Sequence, residues 1–160
     1  GCFWSMSMRM KLKSIVAFFR PDTGSILVET VVALPILTIL TIGVLEFGNV
    51  LWQRHQVQTG VRDAARYWSR CPETFTVCSV ATARNIAFYG TPDPDANTPL
   101  RVPGWSGTAD LSISPAVPVE GDLITVIGET EYQGSPLISA LGLGTAIDIK
   151  YYHQSRYIGW

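Results

Sequence analysis

Apolar and polar positions divide this chain into one long helical half and one half of alternating character. Thr30 to Leu45 is an uncharged run of 16 residues bounded by Glu29 and Glu46. At about 1.5 Å per residue it covers about 24 Å, short of the hydrocarbon core of a bilayer. Extending it back to Ile26 gives about 30 Å, the full thickness, only if Glu29 is carried along. Helical periodicity continues beyond: Phe47, Val50, Leu51, Val57, Val61, Ala64, Ala65 and Trp68 recur every three or four residues. Gln53, Arg54, Gln56, Gln58, Arg62 and Arg66 fill the other face. One helix from about Ser25 to about Ser69 is predicted, apolar all round at first and then amphipathic. It stops at Cys71-Pro72, because the residue before a proline avoids the helical region. Pro35 removes one backbone bond inside the apolar part, and Gly43 and Gly48 are one residue too far apart for the tight helix-pairing motif.

The remaining chain changes period. Ser79 to Tyr89 reads as a second, shorter helix, capped by Ser79, with Val80, Ala83, Ala87 and Phe88 on one face and Gly90 as terminator. Thr91 to Gly107 is an exposed loop punctuated by Pro92, Pro94 and Pro99. Leu111 to Ser114, Leu123 to Tyr132 and Ala146 to Tyr157 are rich in β-branched and aromatic residues and read as strands. Pro115, Pro118 and Gly121 separate the first two strands, and Gly134-Ser135-Pro136 with Gly142 and Gly144 separates the last two. The expected fold is therefore α+β: a long N-terminal transmembrane helix continuing as an amphipathic stem, a short second helix, and a small antiparallel β-sheet packed on the stem.

Composition fits one membrane crossing. The 160 residues are 47% hydrophobic and 16% charged, and the apolarity is concentrated in one stretch. A formal net charge of -1 without a long basic run gives no footprint for nucleic acid. Arg9, Lys11, Lys13 and Arg20, with Asp22 as the one nearby acid, put the N-terminal side in the cytoplasm. Arg54, Arg62, Arg66 and Arg70 on the other flank make that bias small. Setting Cys2 aside on the cytoplasmic side leaves Cys71 and Cys78 as an even pair, open to bridging in an oxidising compartment or to remaining two separate thiols. Neither His55 nor His153 is grouped with them as zinc ligands would be, so no metal and no cofactor is expected.

Gly24 stands five residues before Glu29, the spacing of a prepilin leader. A charge near the middle of a bilayer costs at least about 2.5 kcal/mol on insertion scales, so such a residue usually has a partner and a task. The plainer reading is a glutamate reaching for the headgroups. Glu29-Thr30-Val31-Val32-Ala33-Leu34-Pro35, then Glu46-Phe47-Gly48, then Gln56-Val57-Gln58 through Arg62-Asp63-Ala64-Ala65-Arg66-Tyr67 resemble the TadE-like proteins, pilin-like minor components of the bacterial tight-adherence (Tad) pilus. Tyr132-Gln133-Gly134-Ser135-Pro136-Leu137 resembles that family's C-terminal pattern more loosely, and Thr30 replaces the aromatic residue usual after the glutamate.

The resemblance implies a substrate of a prepilin peptidase, cut after Gly24 to leave Ser25 as the new N-terminus. It also implies assembly with other pilin or pseudopilin subunits, with Glu29 at the subunit contacts. Residues 1–24 would be a cytoplasmic leader, 25–50 the membrane helix and 51–160 an extracytoplasmic domain anchored in the inner membrane. The alternative is an uncleaved single-pass protein whose external domain binds a ligand or partner. An enzyme is not expected: no Gly-x-Ser-x-Gly elbow, Walker loop, His-Glu-x-x-His helix or paired-carboxylate arrangement occurs. Asp93 and Asp95 alternate with proline as turn formers. Glu46 reads as a headgroup-level residue or an inter-subunit contact, and Trp52 as an anchor at the outer boundary.

Overall fold

A computed structural model describes residues 23–72, 78–140 and 147–159. The expected leader up to residue 22, Cys2, the start of the third expected strand at Ala146 and Trp160 lie outside these. The chain divides into two compact units, residues 1–43 and 44–160.

The described part of the first unit is helical, the N-terminal portion of α1 (Thr23–Ser69). Pro35 lies within α1 without ending it. Leu, Ile and Val side chains are exposed around the helix, up to 72% at Val44 just beyond the unit. No soluble helix keeps such a surface without a partner. α1 is long and apolar enough to cross a membrane. The Thr30, Thr38 and Thr41 hydroxyls each donate to the carbonyl four residues back, at 2.8 Å, so these polar groups are satisfied inside the helix.

The second unit holds the rest of α1 with α2 (Val80–Tyr89), β1 (Leu111–Ser114), β2 (Leu123–Glu131), α3 (Pro136–Ala140) and β3 (Asp148–Arg156). The sheet order is β1-β2-β3, antiparallel throughout, with Ile113 opposite Val126 and Val126 opposite His153. Strand β2 alternates as a half-buried strand must, turning Ile124, Val126 and Thr130 inward. Ile124 and Val126 share a core with Val57, Val61, Ala64 and Trp105. Two glycines make room for the Trp105 indole. A Cβ at Gly60 would stand 2.5 Å from the Ala87 carbonyl and 2.7 Å from Trp105, and one at Gly128 would stand 2.6 Å from Val61. Phe88 of α2 meets the Trp105 ring edge to face, with centroids 5.0 Å apart.

Local signals explain the ends of α2. The Ser79 hydroxyl accepts from the Thr82 N–H at 3.0 Å, and Gly90, at φ 79°, returns its N–H to the Ile86 carbonyl. The end of α1 is clasped from three sides. Trp68 Nε1 donates to the Pro115 carbonyl at 3.2 Å, Tyr157 donates its hydroxyl to the Cys71 carbonyl at 2.6 Å, and the Ile158 N–H reaches the Ser69 carbonyl.

Three sequence expectations need correction. The loop foreseen between the last two strands contains α3, opened by Pro136 in the first helical position, with the Ser135 carbonyl accepting from the Ile138 and Ser139 N–H groups. Phe47 and Leu51, assigned to the packed stripe, are exposed, whereas Gln53, assigned to the solvent face, is 2% exposed. The buried face of α1 begins with polar residues and becomes apolar only at Val57.

Candidate functional site

The leader pattern falls at the start of α1. Gly24 and Ser25 lie in its first turn, and Glu29 follows one turn later, exposed among exposed Ile26, Val28 and Val32.

A second group of functional side chains grows from three polar residues on one ridge of α1. Glu46, Asn49 and Gln53 follow the i, i+3, i+7 spacing that stacks side chains along a helix. Each meets the segment that leaves β2. Glu46 is 9% exposed, and its Oε1 accepts from the Tyr132 hydroxyl and, at 3.0 Å, from the Ser135 N–H. Asn49 Nδ2 donates to the same tyrosine oxygen at 3.1 Å. Gln53 Nε2 donates to the Gln133 carbonyl at 2.9 Å, and Gln53 Oε1 accepts from the Gln133 N–H at 3.4 Å. Burial, followed by the Glu46 carboxylate, pushes the Tyr132 hydroxyl up to about 12. Buried polar groups bonded in this way favour one register of helix against chain, although the Ser135 hydroxyl is buried without a partner. Glu46 therefore makes contacts inside its own chain, where the sequence suggested headgroups or another subunit. The spacing of Glu46, Asn49 and Gln53 was the signal available for finding this set.

Cys71 and Cys78 form a disulfide at the end of α1. His55 is exposed on α1 and His153 half-buried on β3, and the structure does not bring them together with the cysteines. Among the described residues no three His, Cys, Asp or Glu side chains gather as a metal site would require. Asp95 donates its N–H to the Thr98 hydroxyl in a tight turn. Trp68 and Trp105 are core residues, whereas Trp52 is 50% exposed.

Residues 24–66 match the family model described as TadE-like protein. Over this stretch, 43 of the 160 residues, the helix is similar to TadE-like proteins. The match includes Glu29, Glu46, Asn49 and Gln53, and ends before Tyr132 and the sheet. No curated protein and no solved structure matches the chain. The likeness is confined to the helix, which is long and apolar enough to cross a membrane.

Proposed function

We propose that this chain is a pilin-like minor subunit of a Tad-type pilus, cut by a prepilin peptidase after Gly24 and acting through assembly with other pilin or pseudopilin subunits. The observation that carries this is the TadE-like match over residues 24–66, with Glu29 one turn into an apolar helix. Cleavage converts Ser25 into an N-terminal ammonium four residues from Glu29. In a bundle of such helices, the carboxylate of one subunit neutralises the ammonium of its neighbour. Desolvating either charge alone is costly, so the pair selects an axial register in which both are matched more than it adds net stability. The anchor lies in the inner membrane, and residues 51–160 face outward.

Glu29→Ala separates assembly from processing. The substituted chain is expected to be cut normally and to lose incorporation into the pilus, read by immunoblotting sheared pili against the membrane fraction. Normal incorporation of Glu29→Ala would contradict the role given to this carboxylate. An uncleaved, singly anchored protein with a binding domain would instead tolerate both Glu29→Ala and replacement of Gly24.

A further inference from the structure

The second unit carries opposite charge on its two outer layers. Along β3, Tyr151 and Ser155 turn toward α1: the Tyr151 hydroxyl accepts from Arg62 Nε at 3.2 Å, and the Ser155 hydroxyl donates to the Ala65 carbonyl at 3.3 Å. Side chains alternate along a strand, so Asp148 and Lys150 stand on the other face of the sheet, away from the helix. Register adds Glu131 and Glu129 from β2, opposite Asp148 and Lys150. With Asp110, these side chains line a depression of about 450 Å³ that holds four carboxylates and one ammonium.

Two of the carboxylates are left in conflict. The Tyr132 N–H bonds to the Ile147 carbonyl, so the next pair along, Glu131 and Asp148, is one of the closely approaching pairs of an antiparallel ladder. Like charges placed directly opposite destabilise a sheet. Lys150 is bonded to Glu129, and Asp110 accepts from the Ser106 and Gly107 N–H groups. Among the described residues no ion pair reaches Glu131 or Asp148.

The helix shows the converse. Arg62, Arg66 and Arg70 follow one another at four-residue intervals, all exposed, while Val57, Val61, Ala64 and Trp68 are buried on the opposite side of α1. The one acid between Arg54 and Arg70 is Asp63, and Arg101 already holds it at 2.8 Å. Among the described residues Arg66 and Arg70 meet no carboxylate. A raised row of guanidinium groups thus backs a sheet whose far face is a hollow of carboxylates, and the guanidinium fork suits a carboxylate pair in shape as well as charge. One copy cannot bring its own two outer layers together.

We infer that the sheet face of one copy receives the arginine row of a second copy of this chain, Arg66 and Arg70 neutralising Glu131 and Asp148. The contact is heterologous: each pair keeps one free face of each kind, so a third copy can add. A Cβ at Gly128 would meet Val61 and Val57, which levels that residue with the middle of the amphipathic stretch. Arg66 stands about 10 Å from this level toward the end of α1, and Glu131 about 10 Å the other way, so copies with α1 pointing alike are stepped by about 20 Å. This deepens the assembly reading by naming a partner, yet it stands on these two faces and not on cleavage after Gly24 or on Glu29.

The test co-expresses two differently tagged copies of the full chain, extracts them in a neutral detergent, and measures capture of one tag by the other. Wild-type copies are expected to capture one another at low salt and to separate in about 1 M salt, where charges are screened beyond about 3 Å. Glu131→Lys with Asp148→Lys in both copies should lower capture about tenfold or more, and so should Arg66→Glu with Arg70→Glu in both. One copy of each reversed kind should restore it, which a folding defect would not do. Capture unchanged by either reversal, or lost in both and not restored in the mixture, would overturn the pairing of these faces. Wild-type copies that never capture one another, or do so only with added calcium, would overturn it as well. Restored pairing in chains that retain residues upstream of Gly24 would contradict the cleavage reading alone.

Discussion

Two stretches of one helix show how differently the same backbone is justified. Up to Leu45, α1 turns apolar side chains outward, and its Thr30, Thr38 and Thr41 hydroxyls bond to its own carbonyls. From Asn49 onward, it has one buried face and one polar face, and its partners are the sheet, Trp105 and α2. The first stretch needs an outside solvent that is apolar; the second carries its apolar solvent with it as a core. Perturbations at matched positions in the two stretches should therefore give opposite results.

The largest contrast is a cavity against a surface. Trp105→Ala removes the fully buried indole that α1, α2 and β2 enclose, and is expected to cost about 3 to 5 kcal/mol in denaturant unfolding of the outer domain. Membrane retention of the chain should be unaffected. Opening the Cys71–Cys78 loop by Cys71→Ser and Cys78→Ser together is expected to cost about 2 to 3 kcal/mol by chain entropy, again in the second stretch alone. Gly60→Ala should cost about 1 to 3 kcal/mol, because its Cβ must displace either the α2 backbone or the Trp105 ring. Gly43→Ala meets nothing within 4 Å and should leave stability unchanged or slightly improved. A loss at Gly43 as large as that at Gly60 would break the comparison.

The smallest effect concerns the junction. The Tyr132 hydroxyl keeps its proton in the folded protein up to about 12, whereas an unfolded chain releases it near 10. The unfolded state then binds fewer protons, so this group's stabilisation is complete below about pH 10 and is lost as pH rises through about 12. Tyr132→Phe should flatten that alkaline decline in urea midpoints measured from pH 9 to pH 12. The variant should also be less stable at neutral pH, since Glu46 keeps the Ser135 N–H but loses the hydroxyl.

How much of this was legible in the sequence follows from which physical signal carried each part. The long helix was legible because both its apolar block and its later periodicity persist over many turns, and α2 because Ser79 and Gly90 are strong caps. The strands were legible from alternation, with β2 ending at Glu131 and β3 running from Asp148 to Arg156, a residue or two inside the expected limits. The resemblance to TadE-like proteins was legible in Glu29, Glu46 and the block from Gln56 to Arg66 because those residues lie on one continuous helix, and the family model matches that stretch. The junction was not. Glu46, Asn49 and Gln53 are polar, and helical wheels assign polar residues to solvent unless their partners are known. Those partners, Tyr132, Gln133 and Ser135, lie 80 or more residues away, and three of the bonds engage backbone groups, which leave no trace in side-chain patterning. Trp105, fully buried, stands in the stretch read as an exposed loop, because nothing in the sequence announced that Gly60 and Gly128 clear a space for it.

The most direct test of the assembly reading is the mass of the N-terminal peptide of the protein recovered from membranes or sheared pili. A mature chain that begins at Ser25 is the predicted result. A chain that retains residues upstream of Gly24, in cells that process their other pilins normally, would contradict it.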